Sequence, residues 1–252
     1  MSGLWAKLEY KLIDTHCHVL DYQSQDFIQT LNKQRITTHA VTTTLAEYKA
    51  LYPLLESCEY IVPSLGLFPL KVKSELEHLE QFLELIPKTK LVGEIGLDYT
   101  APEEERELQR QVLKKIINKC NEENGKVLSL HSRGSAEDVL KIIGKKFNGS
   151  AIMHWYSGPV DFIQTAAPNI FFSINTAMLR SRKGKEILKV LKPEQVLTET
   201  DGPYVKINSE PAHPQDIKIV IQSLSQKWGK SIEEILDIIY ENYTKATNFC
   251  DA

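Results

Sequence analysis

Two histidines two residues apart stand in the segment Ile13-Asp14-Thr15-His16-Cys17-His18. Side chains alternate along a strand, so His16 and His18 project to one side. At the end of a strand, two imidazoles placed this way could share a divalent metal ion. Four more residues of metal-ligand type follow, each at or near the C-terminal end of an apolar run. Glu94 interrupts Val92-Gly93-Glu94-Ile95, and His131 closes Val127-Leu128-Ser129-Leu130. His154 closes Ala151-Ile152-Met153, and Asp201 follows Val196-Leu197-Thr198-Glu199-Thr200. Taken singly, each reads as a satisfied core histidine or a loop carboxylate. Gathered at one end of one sheet, they would be costly to bury without metal to satisfy them. Imidazole and carboxylate donors without thiolates suit zinc-, manganese- or magnesium-class ions.

Positioning such a set requires a particular scaffold. Short apolar runs alternate with amphipathic helical segments along the chain, which is the pattern of βα units. Eight strands are predicted: Lys11 to His16, Thr37 to Thr43, Tyr60 to Leu65, Leu91 to Ile95, Val127 to Leu130, Ala151 to His154, Ile170 to Ile174 and Gln195 to Thr200. Their continuous Val/Ile/Leu character suits a parallel sheet covered on both faces. Helical spacing is clearest from Glu103 to Asn124, where Leu108, Val112, Leu113, Ile116, Ile117 and Cys120 form one stripe, and from Asp216 to Trp228. Ser231 and Glu234 have the spacing of a capping box for a last helix carrying Ile235, Leu236, Ile239 and Tyr243. No Pro/Gly/Ser linker, repeat or low-complexity tract divides the chain. The expectation is an α/β protein, a single (β/α)8 TIM barrel spanning 1–252 as one domain. In such barrels the reacting groups collect at the C-terminal ends of the strands.

Composition narrows the function classes. A net charge of −3 over 252 residues means that any nucleic-acid contact relies on a local basic patch or on bound metal. The four cysteines, Cys17, Cys58, Cys120 and Cys250, have no C-x-x-C pairing, which argues against a disulfide framework and a thiolate zinc site. The leading residues carry Lys7, Glu9 and Lys11 and no apolar stretch. The expectation is a cytoplasmic protein with no signal peptide and no membrane span.

Substrate-facing candidates are fewer. Arg133, beside His131, either binds a phosphate oxygen or caps a helix or pairs with an acid. Arg180, Arg182, Lys183 and Lys185 place four cations within six residues after the seventh strand. They read as a solvated charge run or as a grip on a nucleic-acid backbone. Trp155 and Tyr156 are candidate base-stacking surfaces or packing residues.

The chain resembles the TatD family of metal-dependent deoxyribonucleases, within the wider amidohydrolase-like barrels. The matching segments are DTHCH at Asp14 to His18, VGEIGLDY at Val92 to Tyr99, HSR at His131 to Arg133, HWYSG at His154 to Gly158 and ETDGPY at Glu199 to Tyr204. The resemblance implies two divalent metal ions (Mg, Mn or Zn). His16, His18 and Asp201 would hold one, His131 and His154 the other, and Glu94 would bridge them. It implies hydrolysis of DNA phosphodiesters by a water activated between the two metals, with Asp201 as proton acceptor. The expected substrate is single-stranded or short DNA, cut 3′ to 5′, and protein partners are unknown. Two departures stand out. Phe68 in Gly66-Leu67-Phe68-Pro69 replaces a family histidine associated with phosphate contact, which predicts slower cleavage of plain DNA. The usual basic stretch after the last strand is abbreviated to Asn208-Ser209-Glu210-Pro211. Trimmed relatives of this kind resemble TatD-like proteins of anti-phage defence clusters. The competing readings are a two-metal hydrolase of an amide, lactone or aminoacyl ester, and a non-catalytic partner subunit.

Overall fold

A computed structural model of the chain describes residues 11–22 and 26–247. Residues 1–10, which carry most of the signal-peptide reading, and Cys250 lie outside that range. Eight strands form one sheet in chain order: β1 (Ile13–Cys17), β2 (Thr37–Val41), β3 (Ile61–Leu65), β4 (Leu91–Asp98), β5 (Val127–Arg133), β6 (Ser150–Met153), β7 (Ile170–Ile174) and β8 (Val196–Thr198). Each pairs in parallel with the next. All eight strands read from the sequence are present, and helices connect them, so the expected barrel is the observed one.

Closure runs through β1 and β8. Cys17 and Gly202 form a parallel bridge. The backbone N–H of Asp201 donates to His16 O at 2.9 Å, and that of His18 to Gly202 O at 2.8 Å. Lower in the seam, Thr15 Oγ1 donates to Thr198 O at 3.0 Å and Thr198 Oγ1 donates to Ile13 O. The buried Asp14 carboxylate accepts from the backbone N–H of Thr200 at 2.9 Å, from Thr200 Oγ1 and from His16 N at 3.2 Å. Side-chain hydrogen bonds thus supply much of the join that a full ladder would otherwise make.

The core lies between the sheet and the outer helices. The Glu103–Glu123 helix buries Val112, Leu113, Ile116, Ile117 and Cys120, the stripe anticipated from its spacing. The Ile217–Trp228 helix buries Ile217, Val220, Ile221 and Leu224. The capping box forms ahead of the Ile232–Thr247 helix: Glu234 N donates to Ser231 Oγ at 3.2 Å, and Ser231 N donates to Glu234 Oε2 at 2.7 Å. Among the described residues no helix is long and apolar enough to cross a membrane.

Strand ends differ from expectation where they matter most. β4 and β5 run three residues past the predicted Ile95 and Leu130, to Asp98 and Arg133. Gly96 explains the extension: a Cβ there would stand 2.0 Å from His131 O, and its φ of +144° is open only to glycine. The bare backbone lets the two strands stay paired, with Gly96 opposite His131 and Asp98 opposite Arg133.

Candidate metal centre

His16 lies on β1 and His18 just beyond it, and their Nε2 atoms meet at 3.3 Å. Glu94 enters from β4 and Asp201 from the turn after β8. His16 Nε2 stands 3.7 Å from both Glu94 Oε2 and Asp201 Oδ1, and His18 Nε2 stands 3.5 and 3.6 Å from the same two atoms. Donors held about 2.0–2.2 Å from a tetrahedral ion are separated by roughly 3.3–3.6 Å. The four atoms therefore fit a single metal ion of zinc size.

The opposite carboxylate oxygen of Glu94 faces a second group. Oε1 lies 2.7 Å from His131 Nδ1 and 4.0 Å from His154 Nε2. Glu94, His131 and His154 converge closely enough to hold an ion, as do His16, His18 and Glu94. A cation at the second position would replace the proton shared by His131 and Glu94. His16 and His154 stack at 3.6 Å between ring centroids, which ties the two groups together.

Partners behind the imidazoles orient them. Ser129 Oγ lies 2.7 Å from His16 Nδ1, and Glu199 Oε2 lies 2.9 Å from His154 Nδ1. Asp98 Oδ2 lies 2.9 Å from His131 Nε2. With one nitrogen engaged, the other is left for the centre, as in carboxylate–histidine–metal arrangements. Glu199 also converges with His16 and His154. Its oxygens, however, accept from Asn175 Nδ2 at 2.8 Å, the Trp155 N–H at 3.1 Å and Ser173 Oγ as well as from His154. That carboxylate orients a ligand and has no lone pair left to be one.

Charge is arranged accordingly. Burial pushes His16 down to about 3 and also lowers His18, so both rings are neutral, the form that binds metal. Burial opposes a charge on His154 too, but Glu199, Asp201 and Glu94 outweigh it and lift that ring to about 10. For Glu94, burial is overcome by hydrogen bonds and charge from His131 and His16, which hold it well below the usual carboxylate range. Burial lifts Asp201 well above that range. Asp201 and Trp155 adopt φ of +52° and +37°, left-handed values uncommon for such residues. One of these positions is a residue of the centre and the other directly follows His154.

A cavity of about 560 Å³ opens over the centre. His18, Glu94, His131, His154 and Asp201 form its floor, and Phe68, Lys71, Arg133, Trp155 and Tyr204 stand around it. The structure brings all six proposed ligands together and places Arg133 in the wall. It does not bring in the basic run. Arg180 donates to Lys206 O at 2.9 Å, Arg182 pairs with Glu186 at 3.2 Å, and neither they nor Lys183 and Lys185 line the cavity. Trp155 is 38% exposed and available for stacking, whereas Tyr156 is buried against Phe172. Phe68 packs edge-on against His131, with ring centroids 5.1 Å apart.

Sequence reasoning missed Asp98, Glu199, Ser129 and Lys71. Glu199 left a signal, since it is an acidic residue directly after the apolar run that forms β8, two positions before Asp201. Asp98 would have followed from carrying β4 three residues further. Ser129 and Lys71 had no signal of their own.

A parallel (β/α)8 barrel with four imidazoles and two carboxylates converged at its C-terminal mouth is the scaffold of a metal-dependent hydrolase. The family model for TatD-related DNases matches residues 13–248, and the chain belongs to that family. An uncharacterized metal-dependent hydrolase of Methanocaldococcus jannaschii is 28% identical over 94% of this chain and 97% of its own length. A human protein named deoxyribonuclease TATDN3 is 26% identical over 93% of each chain. The crystal structure of YjjV, a TatD homologue from Escherichia coli K12, superposes with a TM-score of 0.80 at 24% identity, covering 94% of this chain and 98% of that one.

Proposed function

We propose that this hydrolase cleaves phosphodiester bonds of DNA at a two-metal centre, acting from the end of a single-stranded or short substrate with 3′-to-5′ polarity. One observation carries the reading. Glu94 turns one carboxylate oxygen to His16 and His18 and the other to His131 and His154, which is how a bridging ligand divides itself between two cations.

In this reading His16, His18 and Asp201 would hold one ion, His131 and His154 the other, and Glu94 would serve both. A pair of divalent ions at such a centre supplies acidified water and charge stabilisation for the attacking and leaving oxygens of an in-line displacement. The remaining chemistry belongs to the chain. Asp201, with Oδ1 toward His16 and His18 and Oδ2 toward His154, receives the proton of the attacking water. The Arg133 side chain has no hydrogen-bond or ion-pair partner among the described residues, so its guanidinium is free to bind a phosphate oxygen. Trp155 and Tyr204 offer aromatic faces to a base. The cavity, about 560 Å³, falls in the size range of small-ligand pockets, which is room for the end of a strand and not for a length of duplex. A strand end is the DNA form that fits.

The deciding experiment incubates purified protein, stripped of metal and then supplied with Mg²⁺, Mn²⁺ or Zn²⁺, with end-labelled single- and double-stranded DNA. Metal-dependent shortening of the single strand from its 3′ end is expected. No cleavage of DNA beside turnover of an amide, lactone or aminoacyl ester would overturn the reading in favour of acyl chemistry. The anti-phage setting rests on the resemblance, and phage challenge of cells with and without the intact centre tests it.

A further inference from the structure

The cavity wall is divided by charge. Its permanent cations, Lys71 and Arg133, both stand on the side built from β3, β4 and β5, whereas Trp155 and Tyr204 come from the turns after β6 and β8. Arg133 ends β5 directly opposite Asp98 of β4. Lys71 stands in the 3-10 turn Pro69–Lys71 after β3, with its N–H donating to Phe68 O at 2.8 Å. The two cations thus flank the strand that carries Glu94.

Lys71 is held in place. Its Nζ donates to Glu47 Oε1 at 3.1 Å and to Thr43 Oγ1. Glu47 is fixed in turn by the Thr43 N–H at 2.6 Å and Thr43 Oγ1 at 2.7 Å. A lysine on an exposed surface loses rotamer freedom when it binds an anion, and this one has given up part of that freedom already. Its side chain lines the cavity and remains 42% exposed, and an ammonium with three donors has one left after Thr43 and Glu47. Glu47 pairs with Lys71, whereas the Arg133 guanidinium has no ion-pair partner among the described residues.

We propose that Lys71 and Arg133 form a subsite for a second phosphate group of the substrate, separate from the phosphodiester at the metal centre. This inference rests on the nuclease reading for what reaches the floor of the cavity, but the subsite itself concerns binding. The ligand class is a nucleotide carrying two phosphates on one sugar, or a strand end with a phosphate adjacent to the scissile one. The base then lies toward Trp155 and Tyr204. Lys71 acts as a specificity-determining residue.

Calorimetric titration of thymidine 3′,5′-bisphosphate and thymidine 5′-monophosphate into the full-length protein tests the subsite without turnover. The bisphosphate is expected to bind about 10-fold or more tightly, the advantage of one charge-assisted contact. Lys71→Met and Arg133→Met should each reduce that advantage several-fold, and Lys71→Arg should keep most of it. Melting and circular dichroism of each variant separate loss of the contact from loss of the fold. Equal affinity for the two nucleotides in the wild type, or an advantage untouched by Lys71→Met in a folded variant, would overturn the proposal. A retained bisphosphate advantage in a protein that cuts no DNA would instead leave the subsite standing and remove the nuclease reading.

Discussion

At the scale of single residues, the centre depends as much on what stands behind the ligands as on the ligands. His131 and His154 are each held by a carboxylate, Asp98 and Glu199, that never faces the cavity as a donor. Such outer partners typically contribute 10- to 100-fold to metal affinity. Asp98→Asn and Glu199→Gln are therefore expected to weaken metal binding by about that factor while the fold survives. Glu94→Ala should empty both positions because each oxygen serves a different pair of imidazoles, and His154→Ala should empty one. Elemental analysis after dialysis against a limiting metal buffer reads all four variants. Unchanged metal content in Glu94→Ala would remove the bridging assignment, whatever the activity. The ligand set was legible in the sequence because its members stand as an H-x-H pair or at or near the C-terminal ends of apolar runs, and polar residues at strand ends have few other reasons to be there. Asp98 and Ser129 were not, because a partner across a strand boundary depends on register, and register here turns on one close approach at Gly96.

At the scale of elements, the strands were readable where burial on both faces makes them continuously apolar. Their ends were misread where a polar residue continues the ladder, as at Asp98 and Arg133. The basic run is the end of one short helix, Thr176–Arg180, and the start of another, Arg182–Val190, capped by Ser181, whose Oγ accepts from Gly184 N at 3.0 Å. Helical geometry turns its cations away from the cavity, an outcome that charge spacing alone does not reveal. A different element carries a pH-sensitive contact. His39 of β2 is buried, and its Nε2 lies 3.1 Å from Tyr243 Oη on the Ile232–Thr247 helix. Burial pushes its pKa down to about 4 from an ordinary value of 6.5. Between those values the unfolded chain takes up the proton and the folded one does not. The contribution is therefore fully present above about pH 6.5 and is lost as pH falls toward 4. From about pH 7.5 to pH 5 this costs about 2 kcal/mol. Urea unfolding at both pH values should show that loss in the wild type and a clearly smaller one in His39→Gln. Equal losses would mean that other groups set the acid limb.

At the scale of the whole molecule, closure of the barrel and assembly of the centre use the same segments. β1 ends in His16 and leads into His18, β8 leads into Asp201, and the hydrogen bonds that join the two strands run between the ligands' own backbones: Asp201 N to His16 O, His18 N to Gly202 O. Asp14 reinforces the join by accepting from both sides, from His16 N and from Thr200. A metal ion held by His16, His18, Glu94 and Asp201 would then tie β1, β4 and β8 together across the seam. Binding that is confined to the folded state stabilises it by about 4 kcal/mol at a thousand-fold excess over Kd. For a chain of this length that corresponds to a rise in Tm of roughly 8–16 °C. Asp14→Ala strands buried N–H groups of Thr200 and His16 and should lower the Tm of the metal-free protein by about 5–15 °C. Because the seam positions the ligands, it should also shrink the rise that metal produces. Ser231→Ala is the control: it removes a helix cap far along the chain, costs about 1 kcal/mol, and should leave the metal-induced rise intact. Melting curves with and without chelator on the three proteins decide the matter. If Asp14→Ala melts lower but keeps the full metal increment, closure and site assembly are independent. If the increment falls in Asp14→Ala alone, the seam is what preorganises the centre, and the barrel's weakest join lies where its chemistry is built.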